Sequence, residues 1–211
     1  MTEAEWLAGT DAWAMYGFVH ARTSERRQRL LAVACAWDDL ARARTMGELL
    51  NFGDPGNEAL YWDAEYGYET AIRRAEIVAD GGSAKSSGSW FVSGRMPAVA
   101  ALGEDPENLI SVPPERVEAT IRSYTTHPAV YIREVFGNPF RPVAFSPDWR
   151  TGTTVAIARG MYESRDFSAM PILADALQDT GCDSAEVLDH CRGPGPHVRG
   201  CWVVDLVLGK E

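Results

Sequence analysis

The 211 residues suffice for one large domain or two small ones, and seven Trp, seven Tyr and seven Phe can fill a hydrophobic core without disulfides or a metal. The net charge of −10, from 30 acidic and 20 basic side chains, repels phosphate backbones and argues against nucleic acid as a partner. The sequence has no apolar run of about 18 residues, so we expect no membrane insertion.

The first stretch, MTEAEWLAGTDAW, is acidic and lacks the basic flank and apolar centre of a signal peptide. The four cysteines are sparse for a chain of this length: Cys35, Cys182, Cys191 and Cys201. We therefore expect a cytoplasmic protein whose cysteines remain reduced thiols.

Residues 2–20 favour a helical start, because Thr2 precedes two acidic residues that suit the positive end of a helix dipole. A buried helix of about four turns is predicted after Ser24. Its apolar residues recur every three or four positions: Leu30, Val33, Ala34, Trp37, Leu40 and Ala41. A second helix is predicted from Leu60 to Val78, and a Gly/Ser-rich stretch at 80–94 predicts a flexible linker.

In the second half, a helix is predicted after Pro114 and is interrupted at His127-Pro128. Residues 134–149 hold three prolines and predict an extended segment over the core. Three further helices are predicted, beginning at Thr153 or Thr154, after a Ser168 cap, and at Asp183. We interpret the apolar residues 197–208 as a buried helix, with a strand as the open alternative.

These elements predict a mainly α-helical protein, either a helical bundle or a helical-hairpin array with an extended Pro-rich segment. We expect an N-terminal lobe at 1–79, a linker with a possible short strand at 80–112, and a C-terminal lobe at 113–211. Whether the two lobes form one domain is left open.

The stretch DHCRGPGPHVRGCW, residues 189–202, concentrates residue types that carry chemistry. Candidate metal ligands in and near it are Cys182, His190, Cys191, His197 and Cys201. Between Cys182, Cys191, His197 and Cys201 lie 8, 5 and 3 residues, a spacing that matches no common zinc knuckle. We therefore favour small buried thiols and no cofactor, with zinc as the alternative.

A nucleophilic cysteine is also disfavoured. Cys191 has His190 beside it, but it lies at the predicted C-terminal end of a helix, where the dipole opposes a thiolate. No catalytic residue is predicted. We interpret RGPGP as a rigid corner between helices, anchored by Trp202. On that interpretation Trp202→Ala costs about 3–5 kcal/mol of stability, and His197→Ala costs about 1 kcal/mol or less.

Two segments, EVFGNPFRPVAFSPDWRTGTTVAIARGMYESRDFSAMPILADALQDTGC and DHCRGPGPHVRGCWVVDLVLGKE, resemble the C-terminal region of a bacterial protein family abundant in planctomycetes. The stretches MTEAEWLAGTD and RRQRLLAVACAW are similar to the N-terminus of that family. Some members are labelled as SUKH-type immunity proteins or cell-wall-assembly regulators. Where the family often has Cys-Cys-Arg-Arg, this chain has Cys35-Ala36-Trp37-Asp38.

The leading hypothesis is a non-catalytic cytoplasmic interaction protein: an adaptor or an immunity-type regulator that binds a protein partner. It depends on the acidic charge, the surplus of aromatic residues and the lack of a catalytic motif. The alternative is a metal-binding module or an enzyme that uses the cysteines and histidines at 182–201.

Overall fold

The computed structural model describes residues 1–46, residues 69, 72, 73, 76, 77, 79 and 80, and residues 128–210. Helices make up 68% of these residues, which form eight α-helices and no strand. The predicted mainly α-helical fold is confirmed. No helix in the described part of the chain is both long enough and apolar enough to cross a membrane.

The helices are numbered here in chain order. They are α1 (Glu3–Ala8), α2 (Ala12–Val19), α3 (Glu25–Met46), α4 (Pro128–Phe136), α5 (Gly152–Ser164), α6 (Met170–Asp179), α7 (Ala185–Arg192) and α8 (Trp202–Leu208). Short 3-10 turns follow α2 at His20–Arg22 and precede α5 at Pro147–Trp149.

The chain divides into two compact units. The first joins Met1–Ser24 to Ala129–Glu211, and the second comprises Glu25–Pro128. Except for Asp80, the predicted linker at 80–112 lies outside the described residues. The division into lobes at 1–79 and 113–211 therefore stays a prediction.

The second unit contains α3, which begins directly after Ser24 as its apolar spacing predicts. Arg26 forms an ion pair with Asp80, with 2.9 Å between Nη2 and Oδ1. The described residues of the predicted second helix, among them Ile72 and Glu76, are helical. The guanidinium of Arg73 lies over the ring of Trp37.

The core of the first unit is built by α5 to α8. Its members are fully or almost fully buried: Ala158, Met161, Tyr162, Met170, Leu173, Ala174, Leu177, Cys182, Val187, Cys191, Cys201, Val203, Val204 and Val207. Side-chain caps fix where the helices begin, because Thr151 and Ser184 accept hydrogen bonds from the backbone amides of Thr154 and Val187.

Helix α4 is tied to the N-terminal helices by one arginine. Nη1 of Arg133 donates to the backbone oxygens of Trp6, at 2.8 Å, and Gly9, at 3.0 Å. Trp6 is completely buried. The contact fixes both the segment between α1 and α2 and the position of the next residue along α4, Glu134.

Four local predictions need correction. Residues 134–136 are the last turn of α4, not part of an extended segment, because Pro128 begins a helix. Ala169, not Ser168, occupies the cap position of α6. Ser184, not Asp183, caps α7. Residues 202–208 are helical, which confirms the helix over the strand, but residues 197–201 are not part of the helix.

Candidate functional site

Four metal-ligating side chains meet in the first unit: Glu134, His190, His197 and Cys201. Each offers one ligand atom, and these atoms all lie within 4.8 Å of one another. Glu134 comes from α4 and His190 from the last turn of α7. His197 lies in the loop after α7, and Cys201 directly precedes α8. We call this group the Glu-His-Cys cluster.

Glu134 lies at the centre of the cluster, and its side chain is 4% exposed. Its Oε1 is 3.2 Å from Nδ1 of His197, and its Oε2 is 3.3 Å from Nε2 of His190. The Nε2 of His190 also lies 3.2 Å from Sγ of Cys201. One carboxyl group therefore contacts both histidines.

Trp202 adds a hydrogen bond from the other side of His190. Its indole Nε1 donates to Nδ1 of His190 over 3.1 Å. The two rings lie 5.1 Å apart between centroids, and His197 contacts the His190 ring at the same centroid distance. His190 is thus held between an indole donor on one side and the cluster on the other.

Two glycines allow the backbone to approach Trp202 and His197 closely. Gly137 follows α4 with a φ of +67°, and a Cβ there would lie 3.2 Å from Cγ and Cδ2 of the Trp202 indole. Gly195 has a φ of +77°, and a Cβ there would lie 2.8 Å from the backbone nitrogen of His197. An L side chain is strained at both positions. The Gly195–Pro196 peptide bond is cis.

The pKa values of the two histidines are shifted in opposite directions. Burial, together with the charge of His197, lowers the pKa of His190 to about 3. Burial also acts to lower the pKa of His197, but the hydrogen bond and charge of Glu134, with help from the Gly193 backbone, raise it overall. His190 is therefore neutral, in agreement with the indole N–H that points at its Nδ1.

The pKa values of the two acidic groups of the cluster are both raised. Burial raises the pKa of the Glu134 carboxyl, although hydrogen bonds from His197 and Cys201 oppose the change. Burial and the charge of Glu134 raise the pKa of the Cys201 thiol well above its usual value. A metal that bound here would have to displace the thiol proton.

One nitrogen of the cluster lacks a partner. Nε2 of His197 is buried and makes no hydrogen bond to any described residue. Buried polar atoms are nearly always satisfied by protein, water or an ion, so this nitrogen is free to accept a ligand bond.

The structure brings together only part of the predicted ligand set. His190, His197 and Cys201 belong to the cluster, whereas Cys182 and Cys191 are buried in the hydrophobic core outside it. Burial and the charge of Glu134 raise the pKa of the Cys191 thiol to about 12. Glu134 was missed, because it lies 63 residues from His197 in the sequence.

The predicted corner needs revision at two residues. Trp202 is only partly buried and packs against the core, so it is not the fully buried anchor. His197 is 9% exposed and bonded to a buried carboxyl, so it is more than a corner histidine with one modest hydrogen bond. The physical reason is the carboxyl of Glu134, which lies outside the 189–202 stretch.

The geometry also argues against a Cys–His catalytic pair at Cys201. A general base must present an unprotonated nitrogen to the thiol. Because Nδ1 of His190 accepts from Trp202, the proton of the neutral ring lies on Nε2, which faces Sγ. Cys201 is also 0% exposed, so a substrate has no access to it.

Comparison with known proteins gives no match: no family model matches the chain, and no curated protein or solved structure is significantly similar to it. The resemblance to the planctomycete family therefore stays an expectation.

Proposed function

We propose that this protein binds a zinc ion at Glu134, His190, His197 and Cys201, and that the ion has a structural role. The observation that carries the proposal is the convergence of four ligand atoms within 4.8 Å. Imidazole, thiolate and carboxylate are the three ligand types that zinc uses in proteins. The alternative raised by the sequence thus becomes the preferred hypothesis, with a ligand set that differs from the predicted one.

The distances support a tetrahedral ion. With metal–ligand bonds of about 2.0–2.3 Å, neighbouring ligand atoms of a tetrahedral site lie roughly 3.3–3.6 Å apart. Nε2 of His190 meets this spacing, at 3.2 Å from Sγ of Cys201 and 3.3 Å from Oε2 of Glu134. The 3.2 Å contact of His197 joins its Nδ1 to Oε1, the other oxygen of Glu134, and the largest separation within the ligand set is 4.8 Å. Small shifts of side chains would therefore suffice for coordination.

Burial favours a structural site over a catalytic one. The side chains of Glu134, His197 and His190 are 4%, 9% and 17% exposed. Structural zinc sites have four protein ligands, whereas catalytic sites keep a position for water or substrate. The ion would link α4, α7, the loop after α7 and the start of α8, and its binding free energy would stabilise the first unit.

Metal content of purified variants tests the proposal. We expect wild-type protein to hold one equivalent of zinc after gel filtration, and Cys201→Ala to hold almost none. Cys182→Ala is the matched control, because Cys182 is equally buried but lies outside the cluster. Absence of zinc from wild-type protein refolded with zinc would overturn the proposal, as would equal zinc loss in the two variants.

A protein-binding role, predicted from the sequence, is compatible with a structural zinc site and stays a prediction. Leu7 and Ile172 are 55% and 60% exposed and are the most exposed large apolar side chains described. Single apolar side chains are common on protein surfaces, so they assign no partner surface.

A further inference from the structure

Trp202 contacts the cluster without being one of its ligands. Its indole Nε1–H can only donate, and it donates to Nδ1 of His190 over 3.1 Å. The Nδ1 atom must therefore present a lone pair to the indole. A neutral imidazole carries one proton, which in this arrangement lies on Nε2.

The Nε2 atom is the nitrogen that faces the cluster. It lies 3.2 Å from Sγ of Cys201 and 3.3 Å from Oε2 of Glu134. To bind zinc through Nε2, the ring must release that proton and take up another on Nδ1, which gives up the Trp202 hydrogen bond. Histidine ligands in metal sites usually donate from the second nitrogen to an acceptor, the opposite of what Trp202 offers.

The indole cannot easily move out of the way. Its Cγ and Cδ2 atoms lie against Gly137, so close that a Cβ at that position would be 3.2 Å away. The His190 ring also packs against the indole, with 5.1 Å between ring centroids. Packing thus holds the indole donor in place against Nδ1 of His190.

We infer that Trp202 determines the metal affinity of the Glu-His-Cys cluster, because it stabilises the tautomer of His190 that cannot act as a ligand. The inference depends on the proposed zinc site. Trp202 is a positioning residue that weakens zinc binding without contacting the ion.

The test compares the zinc dissociation constants of wild type and Trp202→Phe, measured by competition with a chromophoric chelator at fixed pH. Phenylalanine keeps an aromatic ring but has no donor. We expect about tenfold tighter binding, the equivalent of one hydrogen bond. Trp149→Phe is the control, because Trp149 also packs partly buried against the core and contacts Phe145, not the cluster. Its affinity should equal that of the wild type.

Nitrogen-15 NMR of the histidine rings in chelator-treated wild type gives a second readout that needs neither the variant nor metal. We expect His190 to be protonated on Nε2. Protonation on Nδ1 would overturn the inference and leave the zinc site standing, as would equal zinc affinities of wild type and Trp202→Phe. Zinc binding by neither protein would overturn the site itself and the inference with it.

Discussion

At the scale of single residues, the pKa values of two histidines seven positions apart are shifted in opposite directions. His190 accepts a hydrogen bond from the Trp202 indole and is kept neutral by burial. His197 is hydrogen-bonded to the Glu134 carboxyl, which favours the charged form of the imidazole. Burial and the charge of His197 lower the pKa of His190, whereas Glu134 raises the pKa of His197. The two rings therefore contribute to the pH dependence of stability in opposite directions, which unfolding experiments can distinguish.

Acidification should destabilise the metal-free protein through His190. Its pKa of about 3 in the folded state lies below its ordinary value of 6.5, so between these values the unfolded chain binds a proton that the folded protein does not. The contribution is complete above pH 6.5 and is lost as the pH falls towards 3. His190→Gln should remove about 1.4 kcal/mol per pH unit from the pH dependence of the free energy of unfolding.

Urea unfolding of chelator-treated protein between pH 4 and 6 measures that dependence. Equal slopes in wild type and His190→Gln would show that the ring is not held neutral. His197 acts in the opposite direction: its raised pKa adds stability below pH 6.5 that is lost as the pH rises through the raised value.

His197→Ala should cost more than the sequence alone implies. It removes the donor to a carboxyl that is 4% exposed, and breaking a buried pair typically costs about 3 kcal/mol. Trp202→Ala should cost about the same or less, because Trp202 is only partly buried. Denaturant unfolding of both metal-free variants measures the order. A loss below about 1 kcal/mol at His197 would restore the simple corner interpretation.

At the scale of elements, short caps and loops position the cluster. Helix α7 begins where Ser184 accepts from the amide of Val187, and it ends at Gly193, three residues after His190. Cys201 then occupies the cap position of α8. The loop from 193 to 201 therefore sets the distance between two of the four ligands.

Ser184→Ala should destabilise the protein by about 1 kcal/mol, the usual value of an N-cap. Ser168→Ala is the matched control. The sequence predicts Ser168 as a cap, but it precedes the cap position of α6 and is exposed. Thermal unfolding of both should give a clear loss for Ser184 and a change within about 0.5 kcal/mol for Ser168. A larger stability loss for Ser168→Ala than for Ser184→Ala would mean that the starts of α6 and α7 are wrongly placed.

The helices that the sequence predicts well are those whose apolar spacing and end signals agree. Helices α5, α6 and α7 lie within one or two residues of their predicted starts. Helix α4 was missed, because Pro128 was interpreted as an interruption although proline is also favoured at the first position of a helix. Missing α4 meant missing Glu134, since only a helix packed against the loop after α7 brings that carboxyl to His197.

At the scale of the whole molecule, the account concerns the first compact unit, Met1–Ser24 with Ala129–Glu211. Within it, Arg133 connects α4 to the N-terminal helices and Glu134 connects α4 to the C-terminal ones. Arg133 thus joins the two sequence segments that make up the unit, whereas Glu134 makes its contacts within the second segment. A zinc ion at Glu134 would strengthen one of these two connections.

X-ray absorption spectroscopy of the zinc-loaded protein is the sharpest test of the zinc site, because it distinguishes sulfur from nitrogen or oxygen ligands around the ion. The account predicts one sulfur at about 2.3 Å and nitrogen or oxygen ligands at about 2.0–2.2 Å. Cys201→Ala should bind almost no zinc, and any zinc that it retains should show no sulfur ligand. Two or more sulfur ligands would instead indicate a site that includes Cys182 or Cys191, and a shell of nitrogen and oxygen alone would indicate surface binding. Either result would contradict the Glu-His-Cys cluster as the metal site.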